Sequence, residues 1–210
     1  MTGRIIDISP PITSALAVWP GDVPFSRSVN LAIEAGANID LSSIQTTVHL
    51  GAHTDAPSHY IKDGQGIHAR DLSFYVGEAQ VMRVNVSMGE RIRPEHLTGA
   101  IQAPRVLFRT ESYPDPNEFN PDFCSLSPAL IEQLAGEGVR LVGIDTPSID
   151  PSESKDLPSH AMVAAHDMAI LEGIVLDGVD DGVYTLIALP LPIVGADASP
   201  VRAVLMEALL

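Results

Sequence analysis

The chain has 210 residues, 45% of them hydrophobic and 19% charged, with 12 basic against 27 acidic side chains and a formal net charge of −15. That length and composition suit one globular domain, 1–210, rather than a disordered chain. A surface this negative repels phosphate backbones and anionic lipid, so neither nucleic acid nor membrane is an expected partner.

Met1-Thr2-Gly3-Arg4 leads directly into Ile5-Ile6-Asp7-Ile8. The stretch is too short and too acidic for a secretion signal, no run of eighteen apolar residues occurs, and the expectation is a cytoplasmic protein. Residues 4–8 read as a first strand. Further strands are expected over 43–50, 79–86, 105–110, 139–145, 183–189 and 201–207, from alternation or β-branched side chains bounded by Gly, Pro and Asp. Pro94–Leu97 suggests a short helix. Residues 112–122 carry three prolines and read as a long surface loop. The lone Cys124 excludes an internal disulfide, and beside Asp122 and Phe123 it reads as a small semi-buried residue rather than a nucleophile. Ser127-Pro128, an apolar stripe and Gly136 predict a helix with an N-cap, a proline first turn and a glycine stop. Pro158–Ala165 predicts another helix, ending near Asp167. The interleaving of strands and helices points to one mixed, β-rich α/β domain with a few short helices.

Chemistry concentrates in His49-Leu50-Gly51-Ala52-His53-Thr54-Asp55-Ala56-Pro57-Ser58-His59. His49, His53, Asp55 and His59 all occupy odd positions, so in extended chain they share one face, with Val48, Leu50, Ala52 and Ala56 against a core. A helix is disfavoured by Gly51 and Pro57, and the residue after His49 is Leu50, not the glutamate of helical zinc peptidases. A straight strand fails too, since four residues at about 3.3 Å each put His49 and His53 roughly 13 Å apart. The chain must curl, and Gly51 is where it can do so without a Cβ penalty. We therefore expect a strand ending near Leu50, a bend at Gly51, and an extended loop carrying Asp55 and stiffened by Pro57. His59, beyond the proline, should point back. Imidazoles and a carboxylate so placed suit a divalent ion.

The pattern His49-x-Gly51-x-His53-x-Asp55-x-Pro57-x-His59-Tyr60 resembles the signature of the cyclase-like metal-dependent amide hydrolases, and within them the bacterial kynurenine formamidases (arylformamidases). Ile8–Ile12, Val18-Trp19-Pro20-Gly21-Asp22, Ile144–Asp150, Leu157–His160, Leu171–Ile174 and Leu189–Pro192 extend the resemblance over almost the whole chain. Ala52 stands where many members carry threonine. The resemblance implies a swivelling β/β/α-like fold, a homodimer and two divalent ions per chain, zinc being the expected metal and manganese the alternative. By position, it makes His49, His53 and Asp55 ligands of a first ion. Asp55 would bridge to a second ion held by His160, and Glu172 would bridge both. It makes His59 the acid/base and sets Trp19 against an aryl group.

Taken without the resemblance, His160 reads equally as a helix-start polar residue, Glu172 as a solvated carboxylate, and Trp19 as a core or interface aromatic. On one continuous helix His160 and Glu172 would lie about 18 Å apart, so a helix from Ser159 must stop before Glu172 if both share a site. His166 falls on another helical face, and His68 and His96 have no partner pattern. Phe25 is a candidate helper for Trp19, and Arg27 and Arg202 are candidates for a substrate carboxylate. The expected reaction is hydrolysis of N-formyl-L-kynurenine to L-kynurenine and formate, through a water activated by both ions, with His59 protonating the leaving nitrogen. Two alternatives remain: the same site acting on another aryl or cyclic amide such as isatin, or a non-catalytic metal-binding scaffold.

Overall fold

Period-two alternation along the central strands decides the layering. A computed structural model describes residues 3–207, so Met1 and Thr2 of the expected start lie outside the described residues. In chain order the strands are β1 (Ile5–Asp7), β2 (Ser26–Leu31), β3 (Leu41–Gln45), β4 (His53–Asp55), β5 (Val76–Arg83), β6 (Arg91–Ile92) and β7 (Arg105–Arg109). There follow β8 (Ser125–Leu126), β9 (Leu141–Ile144), β10 (Ala169–Leu171), β11 (Gly182–Ile187), β12 (Ala198–Pro200) and β13 (Val204–Met206). Two helices, α1 (Pro128–Gly136) and α2 (Pro158–Ala165), precede β9 and β10.

Seven strands form one sheet in the order β1-β13-β11-β5-β7-β9-β10. Pairing is antiparallel from β1 to β5 and parallel from β5 to β10. The chain is mixed α/β. Val106, Phe108, Val142, Ile144 and Ile170 face one way and pack with Leu130, Ile131 and Leu134 of α1 and Val163 of α2. Leu107, Leu141, Ala169 and Leu171 face the other way, beneath Ala52, Ala56, Ile67 and Tyr75. Each large side chain fully buried in these cores contributes roughly 1.5–3 kcal/mol. The histidine-rich stretch is thus clamped onto the sheet face opposite the helices.

Ser127 caps α1, its hydroxyl accepting from the Leu130 amide at 3.2 Å, and Pro128 takes the first position. The glycine stop lies later than expected. Gly136 is the last helical residue, and the left-handed turn that glycine favours is made by Gly138 at φ 86°. The strand expected over 43–50 ends at Gln45, because its partner β2 begins there: Ser26 pairs with Gln45. His53–Asp55, expected as loop, form β4 by pairing with β12. Pro94–His96 is a single 3-10 turn, and residues 112–122 contain neither strand nor helix. Among the described residues no helix is long and apolar enough to cross a membrane.

Two features bring the site together. Asp145 and Glu172 directly follow β9 and β10, at the carboxyl ends of parallel strands, where open α/β sheets bind ligands. β4 is hooked onto that end by a reciprocal pair, the His53 amide to the Glu172 carbonyl (3.0 Å) and the Glu172 amide to the His53 carbonyl (2.9 Å). Gly51 bends the chain at φ 54°, and Gly173, at φ 64°, lies so close that a Cβ would overlap the Gly51 carbonyl. Gly173→Ala should therefore lower unfolding free energy by at least about 2 kcal/mol, from backbone strain plus overlap. Urea denaturation measures this, and an unchanged midpoint would contradict so close an approach.

Candidate metal centre

β4 places His53 and Asp55 on one face while Thr54 points the other way, its hydroxyl donating to the Ile170 carbonyl at 2.6 Å. His49 arrives from before the Gly51 kink, Glu172 from the end of β10, and His160 from the first turn of α2, which stops at Ala165 and leaves Glu172 outside it. Asp55 sits at the centre. Its Oδ1 lies 3.0 Å from His49 Nδ1 and 3.4 Å from His53 Nε2, and its Oδ2 lies 3.5 Å from His160 Nε2. Glu172 spans the same gap, with Oε2 3.3 Å from His53 Nε2 and Oε1 3.7 Å from His160 Nε2.

The other nitrogen of each ring is committed. A carbonyl or carboxylate oxygen only accepts, so each such contact fixes a proton. His53 Nδ1 donates to the Gly51 carbonyl (2.8 Å), His160 Nδ1 to Asp150 Oδ2 (2.8 Å), and His49 Nε2 to Asp197 Oδ2 (3.0 Å). Asp150 is held in turn by Arg91 and by the amides of Ser159 and His160. Three imidazoles thus present their free nitrogens to two carboxylates, the orientation that protein partners impose on ligating histidines.

These residues fit divalent ions. Donor atoms 3.0–3.7 Å apart match ligands lying about 2.0–2.2 Å from a shared ion. Asp55 Oδ1 is buried and makes no hydrogen bond despite its neighbours, an acceptor lacking a partner. Three groups of donors lie within 4.8 Å of one another: His49–His53–Asp55, Asp55–His160–Glu172, and His49–His59–Asp197. The structure therefore brings together all five residues expected as ligands. His59 is exposed, with Nε2 4.0 Å from Asp55 Oδ2 and Nδ1 3.2 Å from Asp197 Oδ2. Asp197 had no signal in the sequence, where it is one aspartate among many, and Asp150 appeared there only as the end of a stretch resembling the family, with no role.

Charge is balanced by protons. Burial opposes an imidazolium, but Asp55 and Asp197 outweigh it and raise His49 to about 9, as Asp150 and Asp55 raise His160 to about 10. Burial likewise works against the Asp55 carboxylate, yet His160 and His49 hold it well below the usual range. Burial would raise Asp150 too, but His160 and Arg91 bring it down to about 2.

A cavity of about 850 Å³ opens onto these groups, walled by Trp19, Tyr113, Phe119 and Leu157. Trp19 meets Phe119 edge to face with ring centroids 5.3 Å apart, and Phe123 at 6.2 Å. The proline-rich loop thus supplies part of an aromatic wall, a role its composition does not announce. Asp22, Glu111, Asp145 and Asp177 also line the cavity, and no lysine or arginine does among the described residues. Arg27 bonds to Ser42 and Arg202 pairs with Asp7, both away from it, and Phe25 is not in its wall. His68, His96 and His166 lie outside it as well. Cys124 is fully buried, more than its semi-buried expectation.

Residues 6–151 match the family model Cyclase, described as "Putative cyclase". The chain belongs to this cyclase family. A structure described as a potential metal-dependent hydrolase with cyclase activity is 27% identical, with a TM-score of 0.83 over 99% of both chains. A predicted metal-dependent hydrolase from Bacillus stearothermophilus is 25% identical, with a TM-score of 0.83 over 99% of this chain and 100% of that one. Isatin hydrolase A from Labrenzia aggregata, bound to benzyl benzoate, shares the fold at 24% identity and a TM-score of 0.81 over 97% of this chain and 93% of that one. His160, Glu172 and Asp197 lie beyond the stretch matched by the family model but within that structural likeness.

Since His49 and His160 carry protons where an ion would sit, ion uptake must expel them. Zinc titration by calorimetry at pH 7.5, in buffers of different ionisation enthalpy, should show on the order of two protons released per chain, and affinity should fall as pH is lowered. Zinc binding without proton release would contradict the protonation described.

Proposed function

We propose that the chain is a metal-dependent amide hydrolase that cleaves N-formyl-L-kynurenine to L-kynurenine and formate. The observation that carries this reading is the set of three imidazoles, each with one nitrogen committed to a protein oxygen and the other aimed at Asp55 or Glu172, beside an aromatic-walled cavity. In this reading His49, His53 and Asp55 would hold one ion, and His160, Asp55 and Glu172 a second. Zinc is the expected metal, with manganese the alternative. Bound there, two such ions would make a water acidic near neutral pH and polarise a carbonyl oxygen.

The chain's own groups do the rest. The arylamine nitrogen leaves poorly unless protonated, and His59 is the exposed imidazole that borders both the carboxylates and the cavity. Proton donation from such a group contributes typically 10²–10⁴-fold. Trp19, backed by Phe119, offers a flat face to the aryl ring. The carboxylates around the cavity attract the ammonium of an amino-acid head group.

A second reading, a cyclic amide such as isatin, draws on the fold shared with isatin hydrolases. Opening a cyclic amide keeps the new carboxylate on the product and releases no formate, which separates the two readings by assay. A scaffold role accounts neither for the open cavity nor for an imidazole beyond the ligand set. The same reading includes a homodimer. The β2–β3 hairpin exposes both strands throughout, Val29 and Ile44 at 58% and 66%, and an isolated two-stranded hairpin is marginally stable.

Formate release from N-formylkynurenine should stop on chelation and return with zinc or manganese. Activity indifferent to chelator would refute the reading. Trp19→Ala should raise KM for aryl formamides, and an unchanged KM would make Trp19 structural. His59→Ala should lower kcat by about 10²–10⁴-fold with two ions retained; loss of metal would make His59 a ligand.

A further inference from the structure

We infer that Asp197 is a positioning residue, which holds the ring of His59 in the tautomer and orientation needed to protonate the leaving nitrogen. This rests on the reading of His59 given above. One oxygen, Asp197 Oδ2, lies 3.0 Å from His49 Nε2 and 3.2 Å from His59 Nδ1. As a carboxylate it accepts from both, so both nitrogens carry hydrogen. The remaining nitrogen of His59, Nε2, is left facing Asp55 and the cavity. Among the described residues Asp197 is the one hydrogen-bond partner of the His59 ring, because Asp55 at 4.0 Å is beyond hydrogen-bond reach. The rings of His49 and His59 also lie together, with centroids 4.3 Å apart.

Asp197 can do this because its backbone does not drift. Antiparallel pairing sets Ala198 opposite Asp55, and the Asp197 carbonyl accepts from the Ala56 amide at 2.8 Å. The neighbouring Ala196 carbonyl accepts from the Ile67 amide at 3.0 Å. The aspartate is therefore registered to the strand that carries the central carboxylate. The His59 side chain is exposed at the end of a 3-10 turn, and without Asp197 its ring would regain the rotamer freedom that a fixed contact removes.

The step balances. As the C–N bond breaks, nitrogen keeps the bonding pair and takes the proton from His59 Nε2, while the hydroxyl of the attacking water joins the formyl carbon. His59 is left neutral, with Nδ1–H still on Asp197, and regains the other proton of that water, while the formic acid formed gives its hydroxyl proton to solvent and leaves as formate. An ester with a phenolate leaving group needs no such proton, and this separates positioning from mere structure.

The zinc-loaded enzyme and its Asp197→Ala and Asp197→Asn variants should be assayed on N-formylkynurenine and on phenyl formate, with elemental analysis of each. For Asp197→Ala, assayed at saturating zinc because His49 loses its partner as well, the expected result is a fall in kcat on the amide of about 10–100-fold against a much smaller fall on the ester. Asp197→Asn, whose amide oxygen still accepts from Nδ1–H, should recover most of the amide rate. Nitrogen-15 spectra should show the Nδ1–H form of His59 in the wild type and its loss in the alanine variant. Equal losses on both substrates, or an unchanged amide rate, would overturn the inference while leaving the hydrolase reading intact. An ion missing from Asp197→Ala even at saturating zinc would trace the lost activity to the metal site rather than to His59 and overturn it too. A wild type that releases formate from neither substrate would instead overturn the hydrolase reading beneath it.

Discussion

Asp55 and Glu172 are two carboxylates withdrawn from water within reach of the same imidazoles, and that arrangement demands positive charge. Burying an uncompensated carboxylate costs several kcal/mol. The surrounding structure answers by bringing His49 and His53 from one segment and His160 from a distant one. Protons on these rings answer that demand, and the same donors suit divalent ions. An unpartnered Asp55 oxygen marks where the proton solution falls short.

The scaffold is arranged to keep that cluster in place at the end of the sheet. Reciprocal backbone bonds between His53 and Glu172 join the ligand-bearing strand to β10, and the paired glycines Gly51 and Gly173 let the two backbones touch. Behind the rings stand fixed oxygens, from Gly51, Asp150 and Asp197, that leave each histidine one way to face. In front lies an aromatic cavity assembled largely from loops. Rigid elements thus hold the charged groups, and the more variable segments shape what can approach them.

The parts written locally were legible in the residues. Alternation gave away the core strands, Ser127-Pro128 the start of α1, and the odd spacing around Gly51 the grouping of His49, His53 and Asp55. Features set by distant partners were not. The strand through Ser43 stops at Gln45 because β2 offers no further partner, and β4 exists because β12 returns from the far end of the chain. Strands of two or three residues, such as β6, β8 and β12, are too short to show a period. Asp150 and Asp197 acquire meaning only through folding, Asp150 by capping the turn that carries His160 and Asp197 by its register beside Asp55. The whole-chain resemblance supplied His160 and Glu172, whose own surroundings in sequence are ambiguous.

The most direct test is crystallographic: anomalous difference maps from crystals grown with zinc, recorded on both sides of the metal's absorption edge. Two peaks are expected about 3.5–4 Å apart, flanking the Asp55 carboxylate, one beside His49 and His53 and the other beside His160. A map with no peak there, or with its only density on surface carboxylates, would contradict that arrangement.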